Sequence, residues 1–215
     1  MLAFASAGSA SEIAGKVLLS GKPAANVVVS IEGLRLEQPP DTTVYVVDHR
    51  NLEFVPHLLV IRPGTKVRFE NSDGMPCHIY STSPAGAFAL RGQDGKPLVI
   101  SFDRPGVIVV RCVEHGRIYA YILIRENPHY AITDAKGRYK LSGIPPGRYT
   151  VQAWFEGNVI GTRSLEVGSR PEKADFRGER PQPQVDNNKP DATFVASGAA
   201  DDRASTLPPA WRKEQ

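Results

Sequence analysis

The feature that most constrains the fold is a succession of short apolar runs separated by turn residues. The 215 residues include 19 glycines and 18 prolines, and no segment of ten or more residues keeps the spacing of apolar positions that an amphipathic helix requires. Runs such as VYVVD, VIVVRC and YAYILI are rich in residues that favour strands. The sequence therefore predicts an all-β protein.

Charge and hydropathy exclude several partners. Lysine and arginine total 26 against 23 acidic residues and are spread along the chain, so no basic patch indicates nucleic acid. No apolar run approaches the roughly 18 residues of a membrane span. The start, MLAFASAGSAS, has the small residues that precede a signal-peptidase site. We interpret residues 1–11 as an export-signal remnant or leader and expect a periplasmic or otherwise exported protein.

Turn signals divide the rest of the chain into three parts with strands and a tail. EIAGKVLLSGKPAANVVVSIEGL predicts a hairpin of two strands, and the Pro pair after it marks a boundary. Residues 39–126 hold about seven short strands, as in a sandwich or barrel. Residues 127–174 return to hairpins, whereas residues 175–215 are polar and proline-rich, which predicts an extended or disordered arm.

The two flanking parts share a resemblance. GKPAANVVV together with AITDAKGRYKLSGIPPGRYTVQAW resembles the carboxypeptidase regulatory-like domain, a small transthyretin-like β-sandwich. The resemblance implies that residues 12–38 and 127–174 form one discontinuous domain. Because the termini of compact domains often lie close together, we expect residues 39–126 to be a second domain inserted in a loop of the first.

A cysteine and a histidine follow an apolar run of the middle part. In FDRPGVIVVRCVEH, Cys112 follows Gly106 by six positions and His115 comes three residues later. In a strand, Ile108, Val110 and Cys112 share one face, so the thiol is expected to point into the core. The motif resembles the cupredoxin family, and with the flanking parts it resembles proteins labelled methylamine-utilisation or cupredoxin-like periplasmic proteins.

The cupredoxin resemblance implies a mononuclear type 1 copper site. In that family a second histidine follows an Asn-containing turn, which here is NSDGMPCHIY and supplies His78. The implied metal ligands are His78, Cys112 and His115, since one thiolate with two imidazoles selects copper. His49 and His129 lie beside turns and are expected to be solvated.

The sequence departs from the cupredoxin pattern in two places. The usual axial methionine is missing, because Ile118 occupies the expected position and no methionine follows Met75. The second departure is Cys77, next to His78. If His78 faces the metal, Cys77 faces away in a strand, but an exported chain with two cysteines often pairs them, and a bond from Cys77 to Cys112 would remove the copper thiolate.

Three functions remain open on the sequence. The first is one-electron transfer at copper to a redox partner of the cytochrome or quinoprotein type. The alternatives are a non-redox copper carrier and a metal-free interaction module with a Cys77–Cys112 disulfide. The sequence has no nucleophile elbow, HExxH motif or phosphate loop, and we expect no enzymatic activity.

Overall fold

The computed structural model describes residues 11–34, 39, 41–90, 98–127 and 129–182. All helices and strands assigned within these ranges are strands and none is a helix, which confirms the all-β prediction. In chain order the strands are β1 (Ser11–Leu19), β2 (Lys22–Pro23), β3 (Val28–Glu32), β4 (Val44–Arg50), β5 (Glu53–Val55), β6 (Leu58–Ile61), β7 (Thr65–Asn71), β8 (Ile79–Ser83), β9 (Gly86–Leu90), β10 (Leu98–Phe102), β11 (Gly106–Cys112), β12 (Tyr119–Ile124), β13 (Tyr130–Ile132), β14 (Arg138–Ile144), β15 (Gly147–Phe155), β16 (Asn158–Val167), β17 (Glu172–Lys173) and β18 (Phe176–Gly178).

The strands form two compact units. One contains the described residues of 11–34 and 127–182, and the other those of 39–126. No helix in the described residues has the length and apolar character needed to cross a membrane. Most of the predicted arm, residues 183–215, lies outside the described residues, as does most of the predicted leader.

The first unit consists of two sheets around one apolar core. One sheet has the order β14-β1-β17, with β2 and β18 also paired to β1, and the other has the order β13-β3-β15-β16. The expected hairpin between the first two long strands is wrong. β1 pairs with the two-residue β2, whereas β3 pairs with β15 in the other sheet. This arrangement lets Val17 of β1 and Val29 of β3 enter the same core.

The start of the predicted C-terminal arm belongs to this unit. β18 pairs in parallel with β1, with Phe176 opposite Val17, and the Phe176 side chain is only 2% exposed. Residues 176–178 of the predicted arm therefore form a strand contact with this unit. The physical cause of this contact is the burial of one aromatic ring against a strand distant in sequence, which local composition does not show.

The second unit is a sandwich that positions the candidate site. Its sheets have the orders β10-β7-β4-β5 and β6-β12-β11-β8-β9, and residues of both sheets share one core, including Val47 of the first and Ile122 of the second. Ile108, Val110 and Cys112 on β11 are fully buried. This confirms the predicted alternation and places the Cys112 thiol inside the sandwich.

Candidate metal centre

Cysteine and histidine side chains meet where β4 and β11 end. β4 pairs in parallel with β7, which sets His49 opposite Asn71. β11 pairs with β8 so that Cys112 lies opposite Ile79, and the N–H of Val113 donates to the carbonyl oxygen of His78 at 2.9 Å. Backbone pairing therefore sets residue 49 beside residue 71 in one sheet and residue 112 beside residue 79 in the other, and the two sheets share one core.

Three donors form the first cluster at this place. One ligand atom each from His49, Cys112 and His115 lies within 4.8 Å of the others. Sγ of Cys112 is 3.4 Å from Nδ1 of His115, and the rings of His115 and His49 are stacked with centroids 5.6 Å apart and an interplanar angle of 18°. The structure thus brings the predicted Cys112 and His115 together and adds His49 to them.

His49 is held by one ring nitrogen and leaves the other unused. Nδ1 lies 3.3 Å from Oδ1 of Asn71 and 3.2 Å from Oδ2 of Asp73, which favours a proton on Nδ1. Nε2 is buried and has no hydrogen-bond partner among the described residues. The expectation that His49 is solvated is wrong, because the residue is 1% exposed and its ring meets Phe54 edge-on at 5.6 Å.

The Asp73 carboxylate ties this histidine to a tight turn. Its oxygens accept the backbone N–H groups of Asn51 and Leu52 at 2.6 and 2.9 Å. These bonds, that of Leu52 foremost, lower the pKa of Asp73 below its usual range. A carboxylate that stays ionised can orient the imidazole of His49 over a wide pH range.

His78 points elsewhere. Its Nδ1 contacts Oε1 of Glu114, and its backbone N–H donates to Oε2 of the same carboxylate at 2.8 Å. Burial acts to raise the pKa of Glu114, but the hydrogen bonds from His78 outweigh it and the net shift is downward. His78 belongs to neither group of metal donors found among the described residues, so its role as a ligand stays a prediction.

Cys77 occupies the interior next to Cys112. Its side chain is 3% exposed, and one donor atom each of Cys77, Cys112 and Glu114 lies within 4.8 Å of the others. Both cysteines are free thiols in this structure. A hydrogen bond between them raises the pKa of Cys77 and lowers that of Cys112, so Cys112 is the sulfur that ionises more readily.

The donors fit the metal that the cupredoxin resemblance implies. Atoms bound to one ion lie at most about 4.6 Å apart, twice the metal–sulfur distance of about 2.3 Å, and Sγ of Cys112 and Nδ1 of His115, at 3.4 Å, satisfy this limit. A buried imidazole nitrogen without a partner is costly unless something binds it. A soft thiolate with two imidazoles suits copper. Sequence reasoning missed His49, and its position before a turn gave no signal of burial.

No family model matches the chain, and the search of curated proteins found no match. Among solved structures, the chain is similar to an amicyanin mutant in its Cu(I) form, with 17% identity, coverage of 45% of this chain and 98% of that one, and a TM-score of 0.35. A copper-containing nitrite reductase from Thermus scotoductus SA-01 has 22% identity, coverage of 43% and 24%, and a TM-score of 0.35. At these values the likenesses alone carry no argument about function.

Proposed function

We propose that this chain is a copper protein that transfers one electron at a mononuclear centre held by His49, Cys112 and His115. The observation that carries the proposal is the buried Nε2 of His49, which lacks a partner among the described residues and belongs to a ring stacked on His115 beside the Cys112 thiol. One thiolate and two imidazoles are the ligands of electron-transfer copper sites. When bound, copper supplies the reversible gain and loss of one electron.

The protein's own residues keep this centre rigid and dry. Cys112 is fully buried between two sheets, which excludes water from its sulfur. Asn71 and Asp73 hold the ring of His49 through Nδ1. Ligands that are already in place need little movement when the charge of the bound ion changes, and this favours fast electron transfer.

His115 lies in a different environment, at the surface end of the centre. Its loop between β11 and β12 has exposed residues on both sides, Glu114 and Gly116. We propose that this loop is the contact edge toward a redox partner of the cytochrome or quinoprotein type, as the cupredoxin resemblance implies. Ile118 packs against the core and provides no donor atom in the place of the usual axial methionine.

The rest of the proposal follows the sequence resemblances. We propose that the unit of residues 39–126 is a cupredoxin-like domain and that the other unit is a carboxypeptidase regulatory-like domain in an exported protein. The support is the pair of motifs around GKPAANVVV and GIPPGRYTVQAW and the two-sheet core that those segments build.

The test is the optical spectrum of the full-length, freshly reduced protein after removal of the reductant and addition of one equivalent of Cu(II). We expect an intense thiolate-to-copper charge-transfer band that disappears on reduction and returns on oxidation. Cys112→Ser should abolish the band, and His49→Leu should abolish or strongly weaken it. His78→Gln is the control and should keep it. Absence of a band in the unmodified protein, or an unchanged band in Cys112→Ser, would contradict the proposal.

A further inference from the structure

We infer that Cys77 and Cys112 form a reversible disulfide, so that a reductant of disulfides must act on this chain before copper can bind. The inference deepens the proposed function, and its second half rests on it, because Cys112 is the thiolate proposed for the metal. It is carried by the position of the two sulfurs. They lie within 4.8 Å of each other, both residues are buried, and both are free thiols in this structure.

The segment that carries Cys77 can bring its sulfur closer to Cys112. Residues 72–78 lie between β7 and β8 and belong to neither strand, so Cys77 can move without breaking a β-ladder. An S–S bond is about 2.05 Å long, and the two sulfurs therefore need to approach by less than about 3 Å. The N–H of Val113 donates to the carbonyl oxygen of His78 at 2.9 Å, which keeps the two segments adjacent during this movement.

The inferred step is thiol–disulfide exchange with a small-molecule disulfide as the oxidant. The Cys112 thiolate attacks one sulfur of the small disulfide and expels a thiolate, which takes up the proton lost from Cys112. The Cys77 sulfur then attacks Cys112 in the mixed disulfide, and the bond between the two residues forms as the second thiolate leaves with the proton from Cys77. The protein loses two electrons and two protons, and the small disulfide is reduced to two thiols.

Copper binding and this disulfide exclude each other. A cysteine binds a metal as the thiolate, and a sulfur that is bonded to Cys77 is no longer a thiolate. At a free Cu(I) concentration of 100 times Kd, the ratio of disulfide to dithiol should therefore fall about 100-fold at a fixed ratio of oxidant to reductant. This factor corresponds to a rise of about 59 mV in the midpoint potential of the two-electron pair.

The pair also defines the reaction that must precede copper loading. In the exported location proposed above, the surroundings favour disulfides, so a dithiol donor has to reduce the pair before Cys112 can serve as a ligand. Two cysteines that pack merely as small apolar residues would also be buried. They would not lose their two hydrogens together as one unit, and this difference can be measured.

The experiment equilibrates the full-length, metal-free protein under argon in glutathione buffers of increasing oxidised fraction, followed to constant intact mass because buried sulfurs react only through local opening. We expect one transition in which the monomer loses two hydrogens. The oxidised protein should give no charge-transfer band with Cu(II), and treatment with a dithiol, removed before copper is added, should restore the band. Repeating the series with buffered Cu(I) at 100 times Kd should raise the midpoint by about 59 mV.

Two variants test the role of Cys77. Cys77→Ala should lose no hydrogens in the same buffers and should still give the band after reduction. Cys77→Val, which keeps most of the side-chain volume, guards against an effect of a cavity. His78→Gln is the matched control at the neighbouring position and should form the disulfide as the unmodified protein does.

The outcomes separate the inference from the proposed function. A dithiol that persists in the most oxidising buffer would overturn the inference, whereas a band in the reduced protein would leave the copper centre standing. A disulfide that forms in a protein without any band after reduction would overturn the proposed function and, with it, the link to copper loading. A band of full intensity in the disulfide form would overturn both the exclusion and the role of Cys112 as a ligand.

Discussion

Replacement of His49 by leucine distinguishes a metal ligand from an ordinary core residue. In the metal-free protein the buried Nε2 has no partner among the described residues, and such a group costs about 1–3 kcal/mol. Leucine removes that cost but also removes the contacts of Nδ1 with Asn71 and Asp73 at 3.3 and 3.2 Å, each contributing about 0.5–1.5 kcal/mol. We expect the two changes nearly to cancel, so that the free energy of unfolding changes by less than about 2 kcal/mol.

Bound copper changes the effect of His49→Leu on stability. At a free Cu(I) concentration of 100 times Kd, binding stabilises the native state by about 2.7 kcal/mol. In a domain of 60–100 residues, 1 kcal/mol corresponds to roughly 4–8 °C in Tm, so copper should raise the Tm of the second unit by roughly 11–22 °C. In His49→Leu most of this increase should be lost, although the metal-free protein remains nearly as stable as the unmodified one.

The assay is differential scanning calorimetry of both proteins, with and without buffered Cu(I) under reducing conditions. His129→Leu is a matched control, because Nε2 of His129 is also buried without a partner among the described residues but belongs to neither donor group. It should leave the copper-dependent increase intact. A full increase in His49→Leu, or a loss of more than about 3 kcal/mol in the metal-free variant, would refute the reasoning.

Two further predictions concern the first unit. Gly15→Ala should destabilise it by about 1–3 kcal/mol, measured by urea unfolding, because the new Cβ would lie 2.0 Å from the backbone oxygen of Ala174. Gly168→Ala, whose Cβ would meet nothing within 4 Å, should show no comparable loss. The hydrogen bond from Lys173 lowers the pKa of Asp175 below its ordinary value of 3.8. The stabilising effect of this hydrogen bond is therefore present above pH 3.8 and is lost as the pH falls through the lower folded-state pKa. The difference in free energy of unfolding between the unmodified protein and Asp175→Asn should accordingly become smaller in that acidic range. A difference that does not depend on pH would contradict this.

The strand pattern was predictable because it depends on local chemistry. On β11, Ile108, Val110 and Cys112 alternate with less buried neighbours, and the structure buries all three completely. Such a period of two follows from the pleated backbone. The positions of Cys112 and His115 beside each other follow from their short separation at a strand end.

The orientation of the Cys77-His78 pair was not predictable from the same rule. Alternation requires one of them to face inward, but it does not say which. The pairing of β8 with β11 decides this, and it joins Cys112 to Ile79, residues more than thirty positions apart in sequence. The resemblance to a cupredoxin motif pointed to His78, whereas the structure puts Cys77 inside.

The burial of His49 was also not predictable from the local sequence. Its burial depends on the parallel pairing of β4 with β7, which sets it opposite Asn71, and on Phe54 from β5. Neither contact leaves a signal in the residues next to His49, where a turn suggests exposure. Phe176 is a second case, since its ring is buried where β18 pairs with β1, a strand distant in sequence.

The amino-acid sequence by itself determined that this chain forms strands, that Cys112 ends a buried strand and that His115 follows it, because these features depend on residues within a few positions of one another. Only the tertiary structure decided that donor atoms of His49 and of Cys77 each lie within 4.8 Å of a donor atom of Cys112. Their meeting depends on strand register in two sheets, and register is set by the burial of a whole core rather than by any one segment.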